Sequence, residues 1–587
     1  MSLHNRRGFG LLIVLSIILL NSSCASTPTE SGETIGAADS VQPAFAPFST
    51  TPSPTPFQPL LATEGLPTLV AEASPTAQPS IIPTGENSNE PAQTLWMAPN
   101  LPPALLASLV LPQGWVLTDQ QEGADLLLEV GDQKPVSRWI YALVAPFPTI
   151  VDSVTDNQLI NAWNGKKAGP FSGHPILMDE ATHAILEARL GAGDPNAVEV
   201  MPADKLLDYA WKNRPSWAIV PFEDLEPRLK VLAVNGENPI QREFNPDQYP
   251  LAVPISLSGE PGTESLAEQL AGTLPVSNRD ESKLAIVVLT GVTAMVRATA
   301  YTMERDGITS PAQDIKPWLK KADIAHISNE VPFAPNCPFP NPQQPDLKFC
   351  SKPSYIELLE DIGTDIVELT GDHFADWGAE ATLYTLDMYR ERGWPYYGGG
   401  RNIEEGRKPV LLEVNGNRIA FIGCNAKGGG YATASENTPG AVACDYDWMR
   451  SEIRRLKRKG YLVIATFQHQ EIYAYMVGSK IQDDFITLAE AGADIVSGSQ
   501  AHQPHGMQFY QESFLHFGLG NLFFDQYRYF PGPETDQAFI DRHIFYDGRY
   551  ISTELLPIQF VNLARSRPMT PEEKEEFLAK IFAASGW

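Results

Sequence analysis

The second half of this chain repeats one pattern: a short, almost wholly apolar run that breaks into polar residues. Residues 283–289 (KLAIVVL) break at Thr290-Gly291, and 324–328 (IAHIS) end at Asn329-Glu330. Residues 366–369 (IVEL) run to Gly371-Asp372-His373, and 462–466 (LVIAT) lead to His469-Gln470-Glu471. Residues 494–497 (DIVS) break at Gly498 and deliver Gln500, His502 and His505 in a loop. Runs this short read as buried strands, because helices need roughly 10–12 residues. α/β sheets place their sites beyond the C-terminal ends of their strands. The polar residues recur at those ends, where random placement would put some at the N-terminal ends as well.

Other signals fill in the architecture. A further strand is expected at 514–517, followed by a glycine turn at 518–521. Residues 410–425 form a hairpin signal centred on Asn415-Gly416. The first half alternates too. Strand candidates at 125–130, 139–144, 217–220 and 229–234 surround a helical segment at 201–213. That alternation predicts an α/β layered domain. At 587 residues the chain exceeds a single core. The boundaries read as a folded domain at 94–277, a second at 281–562 and a C-terminal helix at 563–587. In that helix Thr570 and Glu573 have capping-box spacing, ahead of Phe577, Leu578, Ile581 and Phe582.

The start of the chain has a different character. Arg6 and Arg7 precede an apolar run at 9–20, then Asn21-Ser22-Ser23-Cys24. These are the three parts of a secretory signal, and the apolar run is short for a membrane span. Small residues before a cysteine resemble a bacterial lipoprotein signal over residues 1–24, with Cys24 as the lipid-bearing residue. Asn21 stands where such signals usually carry leucine. Residues 25–93 are rich in Pro, Thr, Ser and Ala and are expected to form a disordered tether. The expected location is therefore the extracytoplasmic face of a membrane, held by a lipid anchor.

Charge narrows the partners. A formal charge of −28 argues against nucleic acid and against anionic lipid surfaces. Beyond Cys24, the remaining cysteines are Cys337, Cys350, Cys424 and Cys444. In an exported chain an even number suggests disulfides. Nearest neighbours would pair Cys337 with Cys350 and Cys424 with Cys444. A zinc site of all four is the alternative, although no C-x-x-C pair supports it.

Two resemblances follow. The order YALVAPFPTIVDSVTDNQLINAWNG, WAIVPFEDLEPRLKVLAVNGENP, NPDQYPLAVPISL is similar to substrate-binding proteins of bacterial ABC importers, especially the phosphate type. It implies a periplasmic-binding-protein-like α/β domain with a small-molecule ligand; a domain that only spaces its neighbour is the plainer alternative. The second half resembles the CapA family of poly-γ-glutamate capsule proteins, on motifs in family order. Gly291 to Arg297 stands for "G-D-v-m-l-g-R", and Asn329-Glu330 with Pro332 for "N-l-E-x-p". Gly371-Asp372-His373 with Asp376 and Gly378 stands for "N-N-H-x-x-D-x-G". The late loop at Gly498 to His502 and the segment Gly518 to Asp525 complete the series. The resemblance implies a calcineurin-like metallophosphoesterase-type β-sandwich flanked by helices.

It also implies a site. Glu330, Asp372 and His502 are the candidate metal ligands, for a divalent ion of unspecified identity. His373, His469 and Glu471 are the candidate catalytic groups, and Arg297, Asn329 and Asn521 the candidate substrate-binding ones. Val292 stands where the family has a ligating aspartate, and Gln500 where it has a histidine, so a conventional metal pair is in doubt. Plainer roles compete: a cap or salt bridge for Glu330, a loop-fixing pair for Asp372 and His373, a buried ion pair for Arg297, a structural turn for Asn521. Two functions follow. One is a surface-tethered protein of capsule or exopolymer synthesis, export or anchoring, with a degenerate hydrolase-like site. The other is a non-catalytic receptor for a small solute or a polymer.

Overall fold

A computed structural model describes residues 92–587 except 429, 431 and 527–533. The signal-like segment and nearly all of the tether segment lie outside the described residues. The first strand, Gln93–Met97, starts on the last residue assigned to the tether.

The C-terminal half is a four-layer sandwich, and the apolar runs explain why. One sheet runs Tyr396–Tyr397, Ile366–Glu368, Ile324–Asn329, Leu284–Thr290, Gln537–Tyr546, Arg549–Val561, Arg565–Pro568. The first four of these strands are parallel and the rest antiparallel. The second sheet runs Val410–Val414, Asn417–Asn425, Leu462–Gln468, Ile495–Ser497, Ser513–His516, Met507–Tyr510. Leu284–Thr290 and Leu462–Gln468 are buried along their whole length. Alternate residues face opposite layers. Ala285, Val287, Leu289, Ile324 and Ile366 meet Ile419, Phe421, Ile464, Ile495 and Phe514 between the sheets. Val288, Ile327 and Val367 face the other way, onto Leu358, Leu386 and Tyr389 of helices Ile356–Asp361 and Gly378–Glu391. On the far side Ile422, Val463, Ala465 and Val496 pack on Met449, Ile453, Phe485 and Leu488 of helices Tyr446–Arg458 and Ser479–Glu490. A strand covered on both faces has no polar side, hence the continuous apolar runs.

The hairpin turns where its dipeptide predicts. Asn415 and Gly416 both have positive φ, 51° and 76°, and Val414 pairs with Asn417. The stretch after Gly498 departs from expectation. Met507–Tyr510 is a strand not foreseen, paired antiparallel with Ser513–His516. Asn521 opens a strand, Asn521–Phe523, that crosses to the first sheet and pairs with Val292–Thr293. Both disulfides, Cys337–Cys350 and Cys424–Cys444, are nearest-neighbour pairs. The tail helix, Pro571–Ala584, carries the Thr570–Glu573 capping box and buries Phe577, Leu578, Ile581 and Phe582. Arg565–Pro568, inside the segment assigned to that helix, is a strand.

The first half forms one mixed sheet ordered Trp115–Thr118, Gln93–Met97, Leu126–Val130, Ala252–Gly259, Pro135–Pro146, Trp217–Pro221, Ile176–Met178, Val198–Val200. It is not separate from the second half. Leu284, Ile286, Ile544, Tyr546 and Ile551 belong to its core, and the Phe222 and Tyr546 rings meet edge to face at 4.9 Å. Arg242 forms a 2.6 Å ion pair with Asp323 across the join.

Candidate functional site

Parallel strands from both sheets end at one edge of the sandwich, and the polar residues that follow them converge there. Glu330 follows Ile324–Asn329; Asp372 and His373 follow Ile366–Glu368. Lys427 follows Asn417–Asn425, and Glu471 follows Leu462–Gln468, whose last residue is Gln468. His502 follows Ile495–Ser497.

Glu330, Asp372 and His373 bring ligand atoms within 4.8 Å of one another. Glu330 is the most telling of them. It is 1% exposed, and neither carboxylate oxygen has a hydrogen-bond partner. Burial raises its pKa, and the neighbouring cations only partly offset this. A buried carboxylate without hydrogen bonds costs stability unless a ligand completes it. Gly371 makes room for it, since a Cβ there would lie 2.9 Å from Glu330 Cα and Cγ.

Its neighbours are held in place. His373 Nδ1 lies 2.8 Å from Asp376 Oδ2, which leaves Nε2 facing Asp372 Oδ1 at 4.0 Å. Burial works against charge on His373, but Asp376, Glu330 and Asp372 outweigh it and push its pKa to about 9. Asp372 is clamped by Gln468, which accepts from its backbone N–H at 2.7 Å and donates to Oδ1 at 2.9 Å. Asn425 Nδ2 in turn donates to Gln468 Oε1 at 2.8 Å. Burial opposes ionisation of Asp372, yet His373 and Lys427 hold its pKa below the ordinary value.

His502 Nδ1 lies 2.9 Å from Asn521 Oδ1, and Asn521 Nδ2 donates to the His502 and Thr535 carbonyls. Nε2 then faces Glu330 at 3.6 Å and Glu471 at 3.9 Å. Glu471 accepts from Tyr473 at 2.8 Å and pairs with Lys427. Burial opposes its ionisation too, but His502 and Lys427 keep its pKa low.

Not every expected residue arrives. His469 turns away: Nε2 bonds Asp484 at 2.8 Å and Nδ1 accepts from Gln470 N–H, so the ring is committed to helix Ser479–Glu490. Asn329 spends its amide N–H groups on the Val331 carbonyl and the Tyr389 hydroxyl. Arg297 is buried between the Phe349 and Phe524 rings, 3.7 Å from Asp525, which is the ion-pair alternative. Asn521 lies against His502, with its Oδ1 2.9 Å from His502 Nδ1. His326 lies between the sheets, 2.9 Å from the Tyr397 hydroxyl. Val292 is fully buried with Ala294, Val296, Val331, Phe349 and Phe524, an apolar plug where the family resemblance has a carboxylate. Gln500 Nε2 donates to Ser328 Oγ at 2.6 Å.

Lys427, Gln468 and Asn425 were missed from sequence. The signal was available: Asn425 ends an apolar strand and Lys427 follows it, as the other candidates do theirs.

Residues 286–526 match the family described as bacterial capsule synthesis protein PGA_cap. The chain is 26% identical over 258 residues to capsule biosynthesis protein CapA of Bacillus anthracis, covering 43% of this chain and 62% of that one. It is 23% identical over 236 residues to PGA biosynthesis protein CapA of Bacillus subtilis (strain 168), covering 40% and 61%. The chain therefore spans less than two thirds of these relatives' length. Among solved structures, a 5′-nucleotidase precursor from Thermus thermophilus aligns at 13% identity and TM-score 0.29, over 52% of this chain and 58% of that one. An ABC-type phosphate transport receptor from Vibrio cholerae aligns at 13% identity and TM-score 0.21, over 26% and 73%. Both alignments are too loose to bear on function, and the second does not support the importer-like expectation for residues 94–277.

Proposed function

We propose that this chain is an accessory protein of cell-surface polymer synthesis, export or anchoring, of the poly-γ-glutamate type, working at the cell envelope. In this reading the sandwich edge is a degenerate, metal-dependent hydrolase-like site. The match over residues 286–526 supports the first part. The second rests on Glu330, whose buried carboxylate has no hydrogen bond and lies beside Asp372 and His373.

The donor set fits a divalent ion: two carboxylates and an imidazole within reach of one another, with His502 as a fourth candidate. A bound ion would supply Lewis acidity at this edge. The chain's own residues set up the rest. Asn521 holds the His502 ring so that Nε2 faces Glu330 and Glu471. Asp376 orients His373 in the manner of a carboxylate behind a metal-bound imidazole. Substrates of this reading are phosphate esters or γ-glutamyl amides of a surface polymer. Among the described residues no helix is long and apolar enough to cross a membrane. Attachment in this reading falls to the lipid-bearing Cys24.

The second reading, a receptor that holds polymer without cleaving it, draws on Val292, which puts an apolar plug where the family resemblance has a ligand. Metal analysis by mass spectrometry on the full chain, with Glu330→Gln and Asp372→Ala beside it, tests both. A stoichiometric ion lost in the variants supports the hydrolase-like site and calls for a phosphoester and γ-glutamyl screen. No ion in the wild-type protein would leave the receptor.

A further inference from the structure

Lys427 stands at the site edge between two of its carboxylates. Its ammonium lies 2.6 Å from Asp372 Oδ2 and also pairs with Glu471. Asp372 therefore faces two ways. Oδ1 accepts from Gln468 and lies 4.0 Å from His373 Nε2, and Oδ2 is held by the ammonium. In a two-metal site a bridging carboxylate faces two cations about 3.5–4 Å apart in this way. The side chains beyond Lys427 match a cation's needs: Glu471 pairs with it directly, and His502 stands 3.9 Å from Glu471.

The rest of the site agrees. Val292, where the family resemblance has a ligating carboxylate, is buried in an apolar cluster and offers no ligand. Gln500, at the place of a histidine in the family pattern, is turned to Ser328.

We propose that the Lys427 ammonium stands in for a second metal ion, so that the centre takes a single divalent cation at Glu330, Asp372 and His373. This rests on the metal-site reading above. The divalent ion and the ammonium together balance Glu330, Asp372 and Glu471. A second divalent ion placed between Asp372 and Glu471 would meet the ammonium at contact distance, and like charges so close exclude each other.

The test is manganese binding to the full chain, by calorimetry and by mass spectrometry after equilibrium dialysis. It compares wild type, Lys427→Arg, Lys427→Met and Lys427→Gln, with circular dichroism to identify folded variants. Wild type and Lys427→Arg are expected to hold one ion. Lys427→Met and Lys427→Gln are expected to hold a second ion, or to hold the first at least tenfold tighter. Two ions on the wild-type chain would overturn the proposal, whatever the variants do. So would a folded Lys427→Met or Lys427→Gln protein that binds as wild type does. Either result leaves the metal site standing. No ion on any of the four proteins would overturn the metal reading itself, and the proposal with it.

Discussion

Asn521 Oδ1 sits 2.9 Å from His502 Nδ1, and this one contact decides which nitrogen of His502 the site can use. Asn521 comes from a strand of the first sheet and His502 from a loop of the second. The bond therefore ties the two sheets at the edge where the site lies. Asn521→Ala is expected to weaken divalent-ion binding by about 10–100-fold, the usual effect of removing the group behind a ligating histidine. Calorimetric titration with manganese measures it; unchanged affinity in a folded variant would remove His502 from the site.

Glu330 makes a prediction of opposite sign for stability and for binding. Its buried carboxylate has no hydrogen-bond partner, so without a metal it opposes folding. Glu330→Leu is expected to stabilise the metal-free protein by about 1–3 kcal/mol and to abolish ion binding. Urea unfolding in a chelator reads the first effect. A destabilised Glu330→Leu protein would show that the carboxylate is structural.

Acid sensitivity should come from two buried histidines outside the set of candidate ligands. Burial lowers the pKa of His505 to about 4 and that of His543, likewise, to about 4. In the unfolded chain each takes a proton near about pH 6.5. The folded protein therefore binds fewer protons between those values. Stability is complete above about pH 6.5 and is lost as pH falls toward about 4, by up to about 1.4 kcal/mol per pH unit for each histidine. Thermal unfolding between about pH 7 and about pH 4.5 checks the slope. A combined His505→Gln and His543→Gln protein is expected to show a flatter one; an equal slope would place the sensitivity elsewhere.

The Cys424–Cys444 bridge spans a sequence separation of 20 and closes the segment that carries Lys427. Replacing both cysteines with alanine is expected to cost about 2–4 kcal/mol. Comparing denaturant unfolding with and without reductant gives the value. No difference would show that the reduced chain keeps the segment in place by packing alone.

Much of this molecule was legible in its sequence, because burial writes itself into composition. The runs around Val287, Ile464 and Val496 are apolar on both faces since each is covered by a sheet on one side and helices on the other. The hairpin at Asn415-Gly416 and the cap at Thr570 were readable for local reasons, through backbone and capping chemistry. The strand Met507–Tyr510 was harder to see. Its residues alternate between buried and half-buried, and it lies at a sheet edge.

The site divided along the same line. Sequence alone determined which residues stand past the ends of buried strands, since strand register and chain order are local properties. Which way each side chain points was decided only by tertiary structure. His469 and Glu471 are two residues apart, yet His469 is claimed by Asp484 from a neighbouring helix while Glu471 pairs with Lys427. The sequence offers Asn521 as a substrate-binding candidate or a structural turn, and its contact with His502 exists only because His502 arrives from the other sheet. Hydrogen bonds and ion pairs between segments far apart in the chain form only after the sheets pack. No local pattern encodes them.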